Sequence, residues 1–335
     1  MKTKKNRLST FILAYIKSMR LYYSFITGIA GLVGISYYQF LAYSLEHGDS
    51  IMPTSLNKLI LILAILFFAW GINQIFNDYL GMEEDKINAP DRPMVSGELN
   101  PYLAMLLSTV LMVIAFLITW FFLERSAVIP LVLGAALNFL YEYAKGYGIW
   151  GNIVFGIMIS SCSVFGFMAS GESGTHIFSF EHIMLIFYVA LVNGLMTYYT
   201  YFKDYIGDKE AGKRTLIVIL GIERSQKLAF LVSFLPLMVF LILYYGFNVW
   251  SFPLNGIFIE LAIIATALQI WTGYLYFTNP KGEMTYFSLA MNFRACACTE
   301  AAVVALFNPA LGVILCLLSY FLIGFLFNFH SNTKG

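Results

Sequence analysis

Runs of about 20 apolar residues recur along this whole chain, separated by short polar stretches. A helix of that length covers roughly 30 Å of hydrocarbon. Backbone polar groups find no partners in lipid, so a spanning segment must satisfy them internally. A closed barrel is the other solution, but its strands alternate apolar and polar residues over about ten positions. These runs do not alternate. They lie at 21–42, 56–76, 102–123, 127–143, 152–169, 183–202, 228–247, 254–277 and 301–327. The expected fold is an all-α integral membrane protein. About nine transmembrane helices would form a single bundle around a central cavity, over residues 21–330, with a cytoplasmic segment at 1–20. Two runs are irregular. The fourth is short and contains Pro130, Asn138 and Glu142, and the last is long and should kink at Asn308-Pro309.

Charge supports this reading. Only 12% of residues are charged and 59% are apolar, where soluble domains carry about 25% charged residues. A net charge of +1 argues against a nucleic-acid partner. With the N-terminus in the cytoplasm, every basic residue except Lys58, Arg125 and Lys334 falls on the cytoplasmic side. That is a strong positive-inside bias. The expected setting is the inner (cytoplasmic) membrane, with the site open to the cytoplasm. The opening MKTKKNRLSTF is basic and lacks the cleavage pattern of a removed signal peptide. Cys162, Cys296, Cys298 and Cys316 form no CxxC or Cys–His pattern and read as buried small side chains.

Two polar clusters exceed what topology requires. The first, NDYLGMEEDKINAPDRP at residues 77–93, follows the second apolar run. Asn77, Gly81 and Asp85 are four apart and would share one helical face, with Glu84 one position off it. The second, TYYTYFKDYIGDKEAGKRT at residues 197–215, places Asp204 and Asp208 four apart after the sixth run. Lys203, Lys209, Lys213 and Arg214 surround them. Carboxylates at a bilayer edge are costly unless cations compensate them. Mg²⁺ takes oxygen ligands and is often held by one or two carboxylates plus substrate phosphates. Two facing acidic helix ends could therefore hold a diphosphate through Mg²⁺, beneath a cap of basic residues. Transporters also place carboxylates this way, so carboxylate pairs alone do not separate enzyme from transporter.

The first cluster, with its tail of Ile87, Asn88, Pro90, Arg92, Pro93, Ser96 and Gly97, resembles the first aspartate-rich motif of the UbiA superfamily of intramembrane prenyltransferases. Asp204, Gly207, Asp208 and Gly212 resemble its second motif, and Lys145 with Gly151-Asn152 resembles a third segment. The resemblance covers about residues 17–330 and implies nine helices with an N-terminus inside. It also implies Mg²⁺, an isoprenyl diphosphate substrate, and an allylic carbocation formed in an apolar chamber. On that basis Asn77, Asp85, Asp204 and Asp208 are expected metal–diphosphate ligands, with Glu84 in reserve. Lys145, Lys203, Arg92 and Arg214 are expected diphosphate contacts. Asn152 is expected to brace the site, and Tyr141, Tyr198 and Tyr201 to touch substrate.

One position departs from the prenyltransferase pattern. Gly81 stands where the middle carboxylate of the first motif belongs. In this it is similar to the intramembrane terpene cyclases of the same superfamily. The expected activity is therefore cyclisation of an isoprenyl diphosphate, farnesyl diphosphate first among the candidates. Prenyl transfer to an aromatic or other acceptor is the alternative, and a transporter is the reading from a different class.

Overall fold

The computed structural model describes residues 7–44, 52–172, 174–282 and 284–329. Ten of its helices are long and apolar enough to cross a membrane. A short helix, α1 (Arg7–Met19), precedes them. The spans are built on α2 (Ser24–Ser44), α3 (Leu56–Leu80), α5 (Pro101–Phe122), α6 (Val128–Ala144), α7 (Trp150–Ser170) and α8 (Phe180–Glu210). They continue with α10 (Ile222–Val232) and α11 (Leu235–Leu241), which together make the seventh span, then α12 (Gly256–Thr278), α13 (Met284–Phe307) and α14 (Pro309–Phe329). Two short helices lie between spans, α4 (Met82–Asn88) and α9 (Leu216–Leu220). Two two-residue strands, β1 (Tyr147–Gly148) and β2 (Arg214–Thr215), pair in parallel.

The helix starts are written in the sequence. Ser55, Asn100, Ser179 and Asn255 each accept a backbone N–H three residues on, closing orphan donors of the first turn. Pro101 and Pro309 take first-turn positions where a missing N–H costs nothing. The last case corrects one expectation. Asn308-Pro309 does not kink a single long span; it ends α13, and Asn308 caps α14 by accepting from Leu311 N at 3.1 Å. Residues 284–300, expected in a loop, are helical. Among the described residues ten helices are thus long and apolar enough to span, close to the expected nine, and the end of α14 returns to the side where α2 begins.

The added span is the most enclosed of the ten, which is why it was hard to read as lipid-facing sequence. Its polar side chains bond inside the bundle. Asn292 donates to Met196 O at 2.8 Å, Thr299 accepts from Gln269 at 3.1 Å, and Glu300 Oε1 accepts from Asn193 at 2.6 Å. Arg294, expected on a cytoplasmic loop, sits within α13, donates to Tyr320 O at 2.8 Å and lies over the Tyr320 ring.

α2, α7, α8 and α13 form the centre, and α5 and α6 lie outside. Small residues let α2 and α7 touch: a Cβ on Gly34 would collide with Ser163 O, and one on Gly166 with Gly31 O. Part of the N-terminal segment packs against the bundle. In α1, Ala14, Tyr15 and Met19 pack with Ile75, Met94, Leu99 and Ala104. The cysteines are free, with Cys296, Cys298 and Cys316 buried and Cys162 partly so. Lys2, Lys4, Lys5, Lys334 and His330 lie outside the described residues.

Candidate active site

The two clusters meet because α4 folds back against the end of α8. The hinge is Gly81, which ends α3 and begins α4. Asn77 and Asp85 therefore do not lie on one continuous helix, as their spacing suggested, yet both border the same cavity. Asp204 and Asp208 do lie on one helix. β1 and β2 tie the turn after α6 to the turn after α8, with Tyr147 opposite Arg214.

The cavity, about 70 Å³, is charged at its rim and aromatic below. Asn77, Asp78, Gly81, Glu84, Asp85, Arg92, Glu142, Lys145, Lys203, Asp204 and Arg20 supply the polar wall. Tyr23, Trp70, Tyr141 and Phe155 supply rings. Tyr23 stacks on Trp70 at 4.2 Å, Trp70 meets Phe155 at 5.5 Å, and Tyr141 meets Phe155 edge-on at 5.2 Å. Trp70 also borders a second, smaller cavity of about 50 Å³ lined by Thr27, Leu66, Ala135 and Phe165. Trp70 is thus a wall of both spaces.

Each carboxylate faces a cation. Asp78 lies 2.5 Å from Arg20 and 3.9 Å from Arg92, and accepts from Gln74 at 2.8 Å. Asp85 pairs with Arg92. Asp204 lies 2.8 Å from Lys203, Asp208 lies 3.4 Å from Lys145, and Glu84 lies 2.8 Å from Lys213. Glu142 lies 3.8 Å from Lys213. Burial works against the Lys145 charge, but Asp208, Asp204 and Glu142 outweigh it and hold the ammonium above its ordinary range. Burial likewise opposes the Arg20 charge, and Asp78 more than offsets it with help from other neighbours.

Among the described residues, no group of three or more His, Cys, Asp or Glu side chains is arranged to hold a metal. The donor set nevertheless fits a hard cation, since Asn77 Oδ1, Asp85 Oδ2 and both Asp208 oxygens are buried without hydrogen-bond partners. Six carboxylates (Asp78, Glu84, Asp85, Glu142, Asp204, Asp208) stand against five cations (Arg20, Arg92, Lys145, Lys203, Lys213). The site is close to neutral. A diphosphate added to it would bring uncompensated negative charge unless cations accompanied it.

A model of the UbiA prenyltransferase family matches residues 39–276. The chain belongs to that family. It is 30% identical over 261 residues to a digeranylgeranylglyceryl phosphate synthase from Thermococcus sibiricus, covering 76% of this chain and 83% of that one. A solved UbiA homolog from Aeropyrum pernix K1 shares the fold, with a TM-score of 0.66 at 16% identity over 83% of this chain and 97% of that one. A homolog from Archaeoglobus fulgidus, bound to GPP and Mg²⁺, has a TM-score of 0.61 at 15% identity over 91% and 99%. Membership in the UbiA prenyltransferases favours an enzyme over a transporter. It supports prenyl transfer, the expected alternative, better than cyclisation, because the relatives are named as synthases of a glyceryl phosphate lipid.

Five expected site residues do not line the UbiA cavity: Asp208 and Tyr201, which are buried around Lys145, and Arg214, Asn152 and Tyr198, which stand apart. Arg214 is exposed on β2. Asn152 and Tyr198 border an apolar groove of about 520 Å³ between α7, α8 and α10. Tyr198 donates to Ser225 O at 2.8 Å, a tie between helices. Tyr201 is buried beneath Lys145, whose ammonium lies 5.8 Å from the ring centre. Arg20, Gln74 and Trp70 were not expected as site residues. Arg20 had a signal of sorts, being the last charge before the first apolar run, but topology alone accounts for a cation there.

Proposed function

We propose that this protein is a Mg²⁺-dependent prenyltransferase that moves an isoprenyl group from its diphosphate to the hydroxyl of a glyceryl phosphate lipid. The observation that carries the proposal is the single cavity where both acidic motifs, four cations and four aromatic rings converge. The names of the relatives supply the acceptor class.

Asn77, Asp85, Asp204 and Asp208 would hold Mg²⁺, with Glu84 in reserve, and the metal would neutralise the diphosphate and make it a better leaving group. Lys145, Lys203, Arg92 and Arg20 bind its non-bridging oxygens, the arginines through their planar forks. The bond between C1 and oxygen breaks, and the electron pair leaves with the diphosphate. Tyr23, Trp70, Tyr141 and Phe155 present ring faces to the allylic cation. The acceptor oxygen then bonds to C1 and gives its proton to Glu142, a cavity carboxylate whose ion pair with Lys213 is long at 3.8 Å. By the positive-inside bias, the rim faces the cytoplasm.

Cyclisation is the second reading, and Gly81 is the observation that favours it. A Cβ at Gly81 would stand 3.1 Å from Asn77 O and 3.4 Å from Glu84 Oε2. A carboxylate added there would crowd one already present. Glu84 thus occupies the ground the missing side chain would take, and Gly81 is compatible with transfer.

The test is incubation of purified protein with Mg²⁺ and geranylgeranyl diphosphate, with and without a monoalkylated glyceryl phosphate lipid. Transfer gives a dialkylated product only when acceptor is present. A cyclic terpene formed without acceptor would establish the second reading.

A further inference from the structure

The largest of the described cavities is not the charged one. It is a vestibule of about 770 Å³ between the end of α8 and the start of α13. Phe202, Ile206, Met284 and Phe287 give it apolar walls, and Lys203 and Lys281 give it two cations. Lys203 borders both this vestibule and the charged cavity. Lys203 is the one lining residue that the two spaces share. Among the described residues Lys281 makes no ion pair, whereas Lys203 is 2.8 Å from Asp204.

We infer that the vestibule is the acceptor site, taking a lipid whose phosphate headgroup lies at Lys281 and whose hydroxyl points past Lys203 into the charged cavity. The inference rests on the transferase reading and names where its second substrate binds. Charge and continuity argue for this occupant. An anionic headgroup complements the Lys281 ammonium at the rim, since Lys203 is already paired with Asp204. A hydrocarbon chain suits the apolar walls, which lie at the end of two membrane spans. The headgroup cannot take the diphosphate's own place, because Lys145, Arg92 and Arg20 are committed there. The large groove between α7, α8 and α10 is a poorer fit, since its lining residues carry no charge.

The test uses the full chain in lipid nanodiscs with Mg²⁺ and geranylgeranyl diphosphate. Two acceptors are compared: a monoalkylated glyceryl phosphate and the same lipid without its phosphate. Lys281→Gln should raise KM for the phosphorylated acceptor about tenfold, the scale of one charge-assisted hydrogen bond. It should leave KM for the diphosphate and for the neutral acceptor within about twofold. Lys281→Arg should restore most of the loss, and because Lys281 is exposed the variants should melt with the wild type. An unchanged acceptor KM in Lys281→Gln, or an equal rise for both acceptors, would overturn the site while leaving transferase function intact. If wild-type protein alkylates neither acceptor, the transferase reading fails and the site falls with it.

Discussion

Asp208 and Lys145 meet at 3.4 Å beneath the cap, and the Asp208 side chain is fully enclosed. The contact joins the second acidic motif to the turn after α6. Removing one charge of a buried pair leaves the other uncompensated, at a cost of about 3–5 kcal/mol. Lys145→Met should therefore lower the melting temperature in detergent. Lys145→Met with Asp208→Asn should recover most of that loss but no turnover, because a ligand and a phosphate contact are both gone. Recovery of activity in the double variant would contradict both roles. The Lys145 ammonium is held above its ordinary value, so it stays charged at neutral pH.

Arg20 has a left-handed backbone, φ 48°, at the start of the turn Leu21–Tyr23. That conformation is uncommon outside glycine and needs support. Phe327 of α14 stacks on Tyr22 at 4.1 Å, and Tyr286 donates to Phe327 O at 2.9 Å. The tenth span thus clamps the segment that aims Arg20 at Asp78. Phe327→Ala should raise KM for the diphosphate several-fold at temperatures where the variant stays folded, with a smaller change in kcat. Phe327→Tyr should keep the stack and the wild-type KM. Equal KM values in steady-state kinetics for Phe327→Ala and wild type would remove the clamp from the account.

Glu142 is assigned the proton from the acceptor. Glu142→Gln should lower kcat at least about tenfold, within the usual range for general-base loss. It should leave diphosphate affinity nearly unchanged, since Gln keeps the shape of the wall. Equilibrium binding of labelled diphosphate beside turnover measurements separates the two effects. A loss of binding with kcat intact would reassign Glu142 to substrate holding.

Asn193 and Glu300 do not line the charged cavity; they pair at 2.6 Å between α8 and α13. Their role is packing rather than chemistry. Asn193→Leu should destabilise the bundle by roughly 1–2 kcal/mol, the scale of hydrogen bonds between membrane helices. Glu300→Gln should match wild type in melting temperature and in turnover. Loss of turnover in Glu300→Gln with stability unchanged would show that this carboxylate works in the reaction.

Where the sequence was legible, the reason is physical. Apolar runs that face lipid carry few charges, so spans such as 102–123 and 254–277 stand out. α13 faces other helices and tolerates Asn292, Arg294 and Glu300, so residues 284–300 did not read as a span. The acidic motifs were readable because charge is rare in this chain. Their partners were less so, because Arg20, Lys213 and Lys145 look like any cytoplasmic cation until the fold closes. Gly81 showed the limit of helical spacing: it predicted one face and produced a hinge. Tyr198 and Asn152 lay beside motif residues in the chain, yet the turn of α8 and the position of α7 send them to a different surface.

The most direct test is a comparison of wild type and Asp85→Asn with radiolabelled geranylgeranyl diphosphate, Mg²⁺ and a monoalkylated glyceryl phosphate. The account predicts a dialkylated product from wild type, none without acceptor, none after chelation of Mg²⁺, and loss of at least about a hundredfold in Asp85→Asn. Undiminished product from Asp85→Asn, or consumption of the diphosphate to a cyclic terpene without acceptor, would contradict it.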